Sequence, residues 1–101
     1  MRVIALATIR DFWANHPDAE QALRAWYLEA KLAEWENPAQ LKSQYKTASV
    51  LKNGRVVFNI AGNKYRLVAA ISYKHQVIFI KFAGTHKDYD RIDAQNIEFG
   101  E

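Results

Sequence analysis

The stretch RVVFNIAGNKYRLVAAISYKHQVIFIKFAGT, residues 55–85, is rich in β-branched and aromatic residues that alternate with smaller or polar ones. That period of two is the signature of strands, and it predicts extended segments over 55–61, 64–73 and 76–84, with a shorter one over 49–51. Asn53-Gly54, Gly62-Asn63 and Lys74-His75 are the expected connections, the first two built from residues that tolerate positive φ in tight hairpins.

If Gly62-Asn63 and Lys74-His75 are two-residue turns, the pairing of the three strands is fixed. One sheet face then carries Val56, Phe58, Ile60, Tyr65, Leu67, Ala69, Ile71, Ile78, Ile80 and Phe82, an apolar set that has to be covered. The other carries Arg55, Val57, Asn59, Lys64, Arg66, Val68, Ala70, Ser72, Val77, Phe79, Lys81, Ala83 and Thr85. In that register Asn59 and Ala83 flank Arg66, Lys64 faces Thr85, and Lys81 lies diagonally from Arg66. A slip of one residue would turn Arg66 and Lys81 into the core unpaired, which favours this register.

Upstream, the period becomes helical. Residues 2–5 (RVIA) suggest a short strand, and Thr8 offers an N-cap for a helix in which Ile9, Phe12 and Trp13 share a face and which Pro17 ends. Asp18 can cap a second helix, with Ala22, Ala25, Trp26, Leu28, Leu32 and Trp35 as its apolar stripe. The tryptophans read as packing residues. Asn37 and Pro38 look like the cap and first residue of a short third helix, PAQLKSQY. Helices followed by a meander predict one α+β domain spanning 1–101, with the N-terminal helices packed on one face of a small, mainly antiparallel sheet.

Cysteine is absent, so disulfides, thiolate metal ligands and a cysteine nucleophile are excluded together. No apolar run approaches the roughly 20 residues that cross a bilayer, and the N-terminus has no signal-peptide pattern; a cytoplasmic protein without membrane contact is expected. Charge is unevenly distributed. Residues 1–38 hold four basic and six acidic side chains, 39–92 hold ten and two, and 93–101 hold none and three, giving local net charges of −2, +8 and −3. A central block that basic suits a polyanion, although a solvated lysine-rich surface has the same composition.

Arg66 and Lys81 supply a planar fork and a mobile ammonium, the pair of groups that can grip a phosphate and stabilise a pentacoordinate transition state. The same side chains also fit the solvated face of a half-covered sheet. After the last strand, Thr85-His86-Lys87-Asp88-Tyr89-Asp90 reads as a short helix with a Thr85–Asp88 capping box, placing His86 in its first turn and Tyr89 at its end. His86 suits acid or base work near neutral pH, or equally a structural hydrogen bond. Metal chemistry fits poorly, because His16, His75 and His86 are scattered and His86 with Asp90 is one weak pair. No glycine-rich phosphate loop is present, and no cofactor is expected.

The run Phe58 to Ala69, with its N-x-x-G-N-x-x-R-L-V-A pattern, followed by Phe79 to Asp90 and a G-T-H-x-x-Y-D-x-I-D pattern, resembles the HigB toxins of type II toxin-antitoxin systems, with similar layout over nearly the whole chain. The resemblance implies a RelE-like fold and metal-independent cleavage of messenger RNA, usually on the translating ribosome, in which the ribose 2′-hydroxyl attacks the adjacent phosphate and the 5′-oxygen leaves. It also implies a HigA-type helix-turn-helix antitoxin, through which the pair would reach operator DNA. Within that scheme Arg66 and Lys81 hold the phosphate, His86 is the candidate acid or base, and Tyr89 stacks on a base or moves a proton. Lys64, Lys87, Asn59 and Arg55 are the candidate RNA contacts. His75 lies at the far end of the sheet from His86, so a two-histidine mechanism is not expected. The rival readings are a binding module that holds RNA or the ribosome without cutting, and a protein that blocks another target such as gyrase. The acidic end of the chain is expected either to form a last strand over 96–99 or to fold across the site and compete for Arg66.

Overall fold

The computed structural model describes residues 1–98. Five strands and four α-helices follow one another as β1 (Arg2–Ile4), α1 (Leu6–Asn15), α2 (Glu20–Leu32), α3 (Pro38–Gln44), β2 (Ser49–Val50), β3 (Arg55–Ile60), β4 (Tyr65–Ser72), β5 (Val77–Thr85) and α4 (His86–Tyr89), with a 3-10 turn at Pro17–Ala19. The sheet order is β1-β5-β4-β3-β2, with β1 parallel to β5 and every other pair antiparallel. The expected α+β layout, helices on one face of a mainly antiparallel sheet, is the one observed.

Local signals explain most boundaries. Asn53 and Gly54 both take positive φ, as an Asn-Gly hairpin turn requires. Asn37 caps α3, its side chain accepting from the Gln40 amide at 3.0 Å, with Pro38 in the first turn. Four expectations give way. The β3–β4 turn puts positive φ at Ala61 and Gly62, one residue earlier than Gly62-Asn63, and four residues rather than two separate β4 from β5. α1 begins at Leu6 behind a left-handed Ala5, so Thr8 lies inside the helix. Asp18 sits in the 3-10 turn and caps nothing, because its carboxylate accepts from Tyr65 Oη at 2.6 Å and from Lys64.

The main core lies between helices and sheet: Ile9, Leu23, Trp26, Ala30 and Leu41 pack on Val56, Phe58, Leu67, Ala69, Ile78 and Ile80. Trp26 meets Phe58 edge-on at 5.3 Å between ring centroids, and Tyr45 does the same at 5.2 Å. The buried stripe of α2 runs through Leu23, Trp26 and Ala30, not through Leu28 and Leu32, which are 58% and 80% exposed. At the end of α2 the Met1 amino group donates to the carbonyls of Ala30, Lys31 and Ala33, satisfying acceptors that a helix end leaves open.

The β3–β4 register is the expected one throughout. β4–β5 keeps the expected register from Ser72 to Ala69 and then slips by one, so that Val68 faces Phe82 and Arg66 faces Gly84 rather than Ala83. Lys81 is the extra residue of this bulge. Beyond a bulge the alternation of faces reverses. Phe82, expected under the helices, therefore packs on the opposite face with Val57, Val68 and Ala94, while Ala83 joins the main core. Thr85 faces Tyr65 in place of Lys64.

Candidate active site

The sheet face away from the helices is not the open basic surface expected from alternation. Part of it is roofed by α4 and residues 90–98, with Tyr89, Ile92, Ala94 and Ile97 covering Val57, Val68 and Phe82. Asp93 shapes this segment locally: its side chain accepts from the Gln95 amide at 3.1 Å and from Asn96 Nδ2 at 2.7 Å, and its carbonyl accepts from the Ile97 amide. Of the strand expected over 96–99, residues 96–98 are not in a strand, and Phe99 lies outside the described residues.

α4 is positioned by its cap. The Thr85 hydroxyl accepts from the Asp88 amide at 3.1 Å and the Asp88 carboxylate accepts from the Thr85 amide at 3.3 Å, the reciprocal box read from the sequence. Tyr89 is thereby held over the sheet, and the Arg66 guanidinium lies 6.0 Å from its ring centroid. Arg66 donates through Nη1 to the carbonyls of Asn63 and Tyr65, at 2.9 and 3.3 Å. Those two bonds aim the side chain; its remaining N–H groups have no acceptor among the described residues. Gly84 opposite it contributes no side chain, and a Cβ there would stand 2.4 Å from Cζ of Phe82, so that ring would have to move to admit one. His86 opens α4, exposed, with Nδ1 3.7 Å from the Asp90 carboxylate, too far for a hydrogen bond.

Arg66, Tyr89 and the α4 turn that carries His86 thus share one corner of the domain. Lys81 points to the same face, but its Nζ is engaged by the Glu98 carboxylate at 2.5 Å and lies 5.8 Å from the Phe79 ring. The other oxygen of Glu98 accepts from Arg55 Nη2 at 2.7 Å. Held between two cations, the Lys81 ammonium foremost, the Glu98 carboxyl titrates below its ordinary range.

The candidate RNA contacts scatter. Arg55 has a side chain only 8% exposed and donates to the carbonyls of Ala94 and Ile97 as well as to Glu98, so it anchors the C-terminal segment from beneath. That placement corrects the reading of Arg55 as a surface cation. Lys64 turns to the helix side and pairs with Asp18. Asn59 stays beside Arg66 on β4, its amide donating to the Thr47 carbonyl at 3.1 Å. Lys87 is exposed on α4, and His75 lies in the β4–β5 loop at the opposite end of β5. Among the described residues no three of His, Asp and Glu stand close enough to hold a metal ion. Glu98 is the site residue that spacing did not reveal. Its signal was the acidic end of the chain, but its partners are Lys81 and Arg55 rather than Arg66.

Helices backing a five-stranded, mainly antiparallel sheet form an α+β arrangement consistent with a RelE-like fold. Comparison with known proteins agrees: residues 19–92 match the model of the HigB toxin family, described as the RelE-like toxic component of a toxin-antitoxin system. The chain belongs to that family. It is 27% identical over 96 residues to the mRNA interferase toxin HigB of Escherichia coli K12, covering 93% of this chain and 92% of the relative. The mRNA interferase HigB of Escherichia coli O6:H1 is 23% identical over 94 residues, 91% of each chain. No helix among the described residues is long and apolar enough to cross a membrane.

Proposed function

We propose that this toxin is an mRNA interferase, an endoribonuclease that cuts messages on the ribosome and is neutralised by a HigA-type antitoxin. The observation that carries the reading is the Arg66 guanidinium, aimed by two backbone carbonyls and left beside Tyr89 with N–H groups that have no acceptor among the described residues. Such a group binds a phosphodiester and gains strength as the phosphorus takes on a fifth oxygen and extra negative charge. Attack by the 2′-hydroxyl needs a base to take its proton, and departure of the 5′-oxygen needs an acid to supply one. His86 is the side chain here suited to either transfer near neutral pH. Tyr89 offers its ring to a base and its hydroxyl to a second proton transfer. Lys81 joins the phosphate once Glu98 releases it, and Lys87 draws the RNA backbone from the rim. Arg55 and Lys64, occupied by protein partners, are left out of this set.

Brief induction in cells followed by primer extension on abundant messages tests the proposal. New 5′ ends with the wild-type chain, absent with Arg66→Ala and with His86→Ala, are expected. Growth arrest with intact messages overturns it, and arrest that survives both substitutions with intact RNA would instead favour a module that occupies the ribosome without cutting.

A further inference from the structure

The helix layer carries a feature that the core does not use. Leu6, Arg10 and Trp13 on α1 and Arg24, Tyr27 and Leu28 on α2 line a groove of about 230 Å³ between the two helices. Spacings of three and four residues put each trio on one helix face. Leu28 is 58% exposed, and Leu32, one turn further along α2, is 80% exposed, so the apolar strip continues out of the groove. Two leucines of a short amphipathic helix turned to water, beside a half-buried tryptophan and tyrosine, form a surface suited to a partner.

The charges at the rim specify that partner. The Arg24 guanidinium lies 4.8 Å from the Trp13 ring centroid and is held there by Glu20 at 2.7 Å. Arg10, on the facing helix, has no ion pair among the described residues. An apolar trough with an unpaired cation at its edge fits an amphipathic segment whose apolar side chains fill the trough and whose acidic side chain reaches Arg10. Membership of a toxin-antitoxin family implies a protein partner, the antitoxin. We propose that the α1–α2 groove is its docking site, receiving an amphipathic helix of the antitoxin through Leu28, Trp13 and Tyr27, with Arg10 bound to a carboxylate.

This inference rests on the toxin-antitoxin partnership and not on RNA cleavage, and its test is a binding measurement that needs no catalysis. The purified chain is titrated with its own antitoxin by calorimetry, using Leu28→Glu, Arg10→Glu and, on the opposite side of the domain, Lys87→Glu. Circular dichroism confirms that each variant is folded, as expected for exposed positions. Leu28→Glu and Arg10→Glu should each weaken binding at least tenfold and Lys87→Glu less than twofold, while Leu28→Met restores wild-type affinity. Binding unchanged by the first two, or weakened by Lys87→Glu alone, overturns the proposal. So does a shift from dimer to monomer in sedimentation on Leu28→Glu with antitoxin affinity intact, which would assign the groove to a second copy of the chain.

Discussion

Glu98 and Lys81 are joined at 2.5 Å across the sheet face that carries Arg66, so a carboxylate of the chain's own C-terminal segment holds a cation suited to a phosphate. Replacing Glu98 by Gln removes the countercharge and keeps the shape. Affinity for a labelled single-stranded oligoribonucleotide should rise severalfold at low salt, with a steeper dependence on salt because one more cation is available. Equal affinity and equal salt slope would show that Lys81 does not reach RNA.

Arg66 is separable from stability. Its side chain is half-buried and supports the fold through two bonds to neighbouring carbonyls and its approach to the Tyr89 ring, so Arg66→Ala should leave the melting temperature within a few degrees of wild type. Cleavage should fall roughly 100- to 1000-fold, the usual loss when one donor to a developing oxyanion is removed. Arg66→Lys should recover only part of it, since an ammonium cannot reproduce the fork. Single-turnover cleavage on programmed ribosomes measures both.

Gly84 is required by Phe82 rather than by backbone strain. A Cβ there would sit 2.4 Å from the Phe82 ring and 3.1 Å from the Asp88 Cβ, so Gly84→Ala must displace the ring or tilt α4. A loss of about 1–3 kcal/mol in urea unfolding is expected. Adding Phe82→Leu should remove much of the clash, giving a favourable coupling between the two sites in a double-mutant cycle.

Asp18 contributes to the acid limb of stability. The hydrogen bond from Lys64, followed by that from Tyr65, holds its carboxyl below the ordinary aspartate value. A depressed folded pKa stabilises the protein above the unfolded value, and that contribution disappears as pH falls through the folded one. The same contacts raise Lys64 and Tyr65, whose contributions are present at neutral pH and disappear as pH rises past their folded values. Asp18→Asn should therefore flatten the melting-temperature profile below about pH 4 and above about pH 10. A profile identical to wild type at both ends would show that the cluster is silent.

The α4 cap, the Asn53-Gly54 turn, the α3 start and the β3–β4 register were all legible in the sequence, because each is fixed by residues within a few positions of one another or by strict alternation. The fold class followed from the same local rules, and so did Arg66 on the outer face and His86 with Tyr89 on α4. Three features were decided only by tertiary structure. The bulge at Lys81 depends on how β4 and β5 fit over their whole length, and it moved Phe82 to the opposite face and set Gly84 beside Arg66. The burial of Arg55 depends on a segment some forty residues away folding back to supply two carbonyls and a carboxylate. The exposure of Leu28 and Leu32 depends on which side of α2 the sheet meets, since hydrophobicity along a helix marks an apolar face but not what covers it. Short-range hydrogen bonding and side-chain alternation are written into neighbouring residues; contacts between distant elements are chosen by the packing of the whole domain.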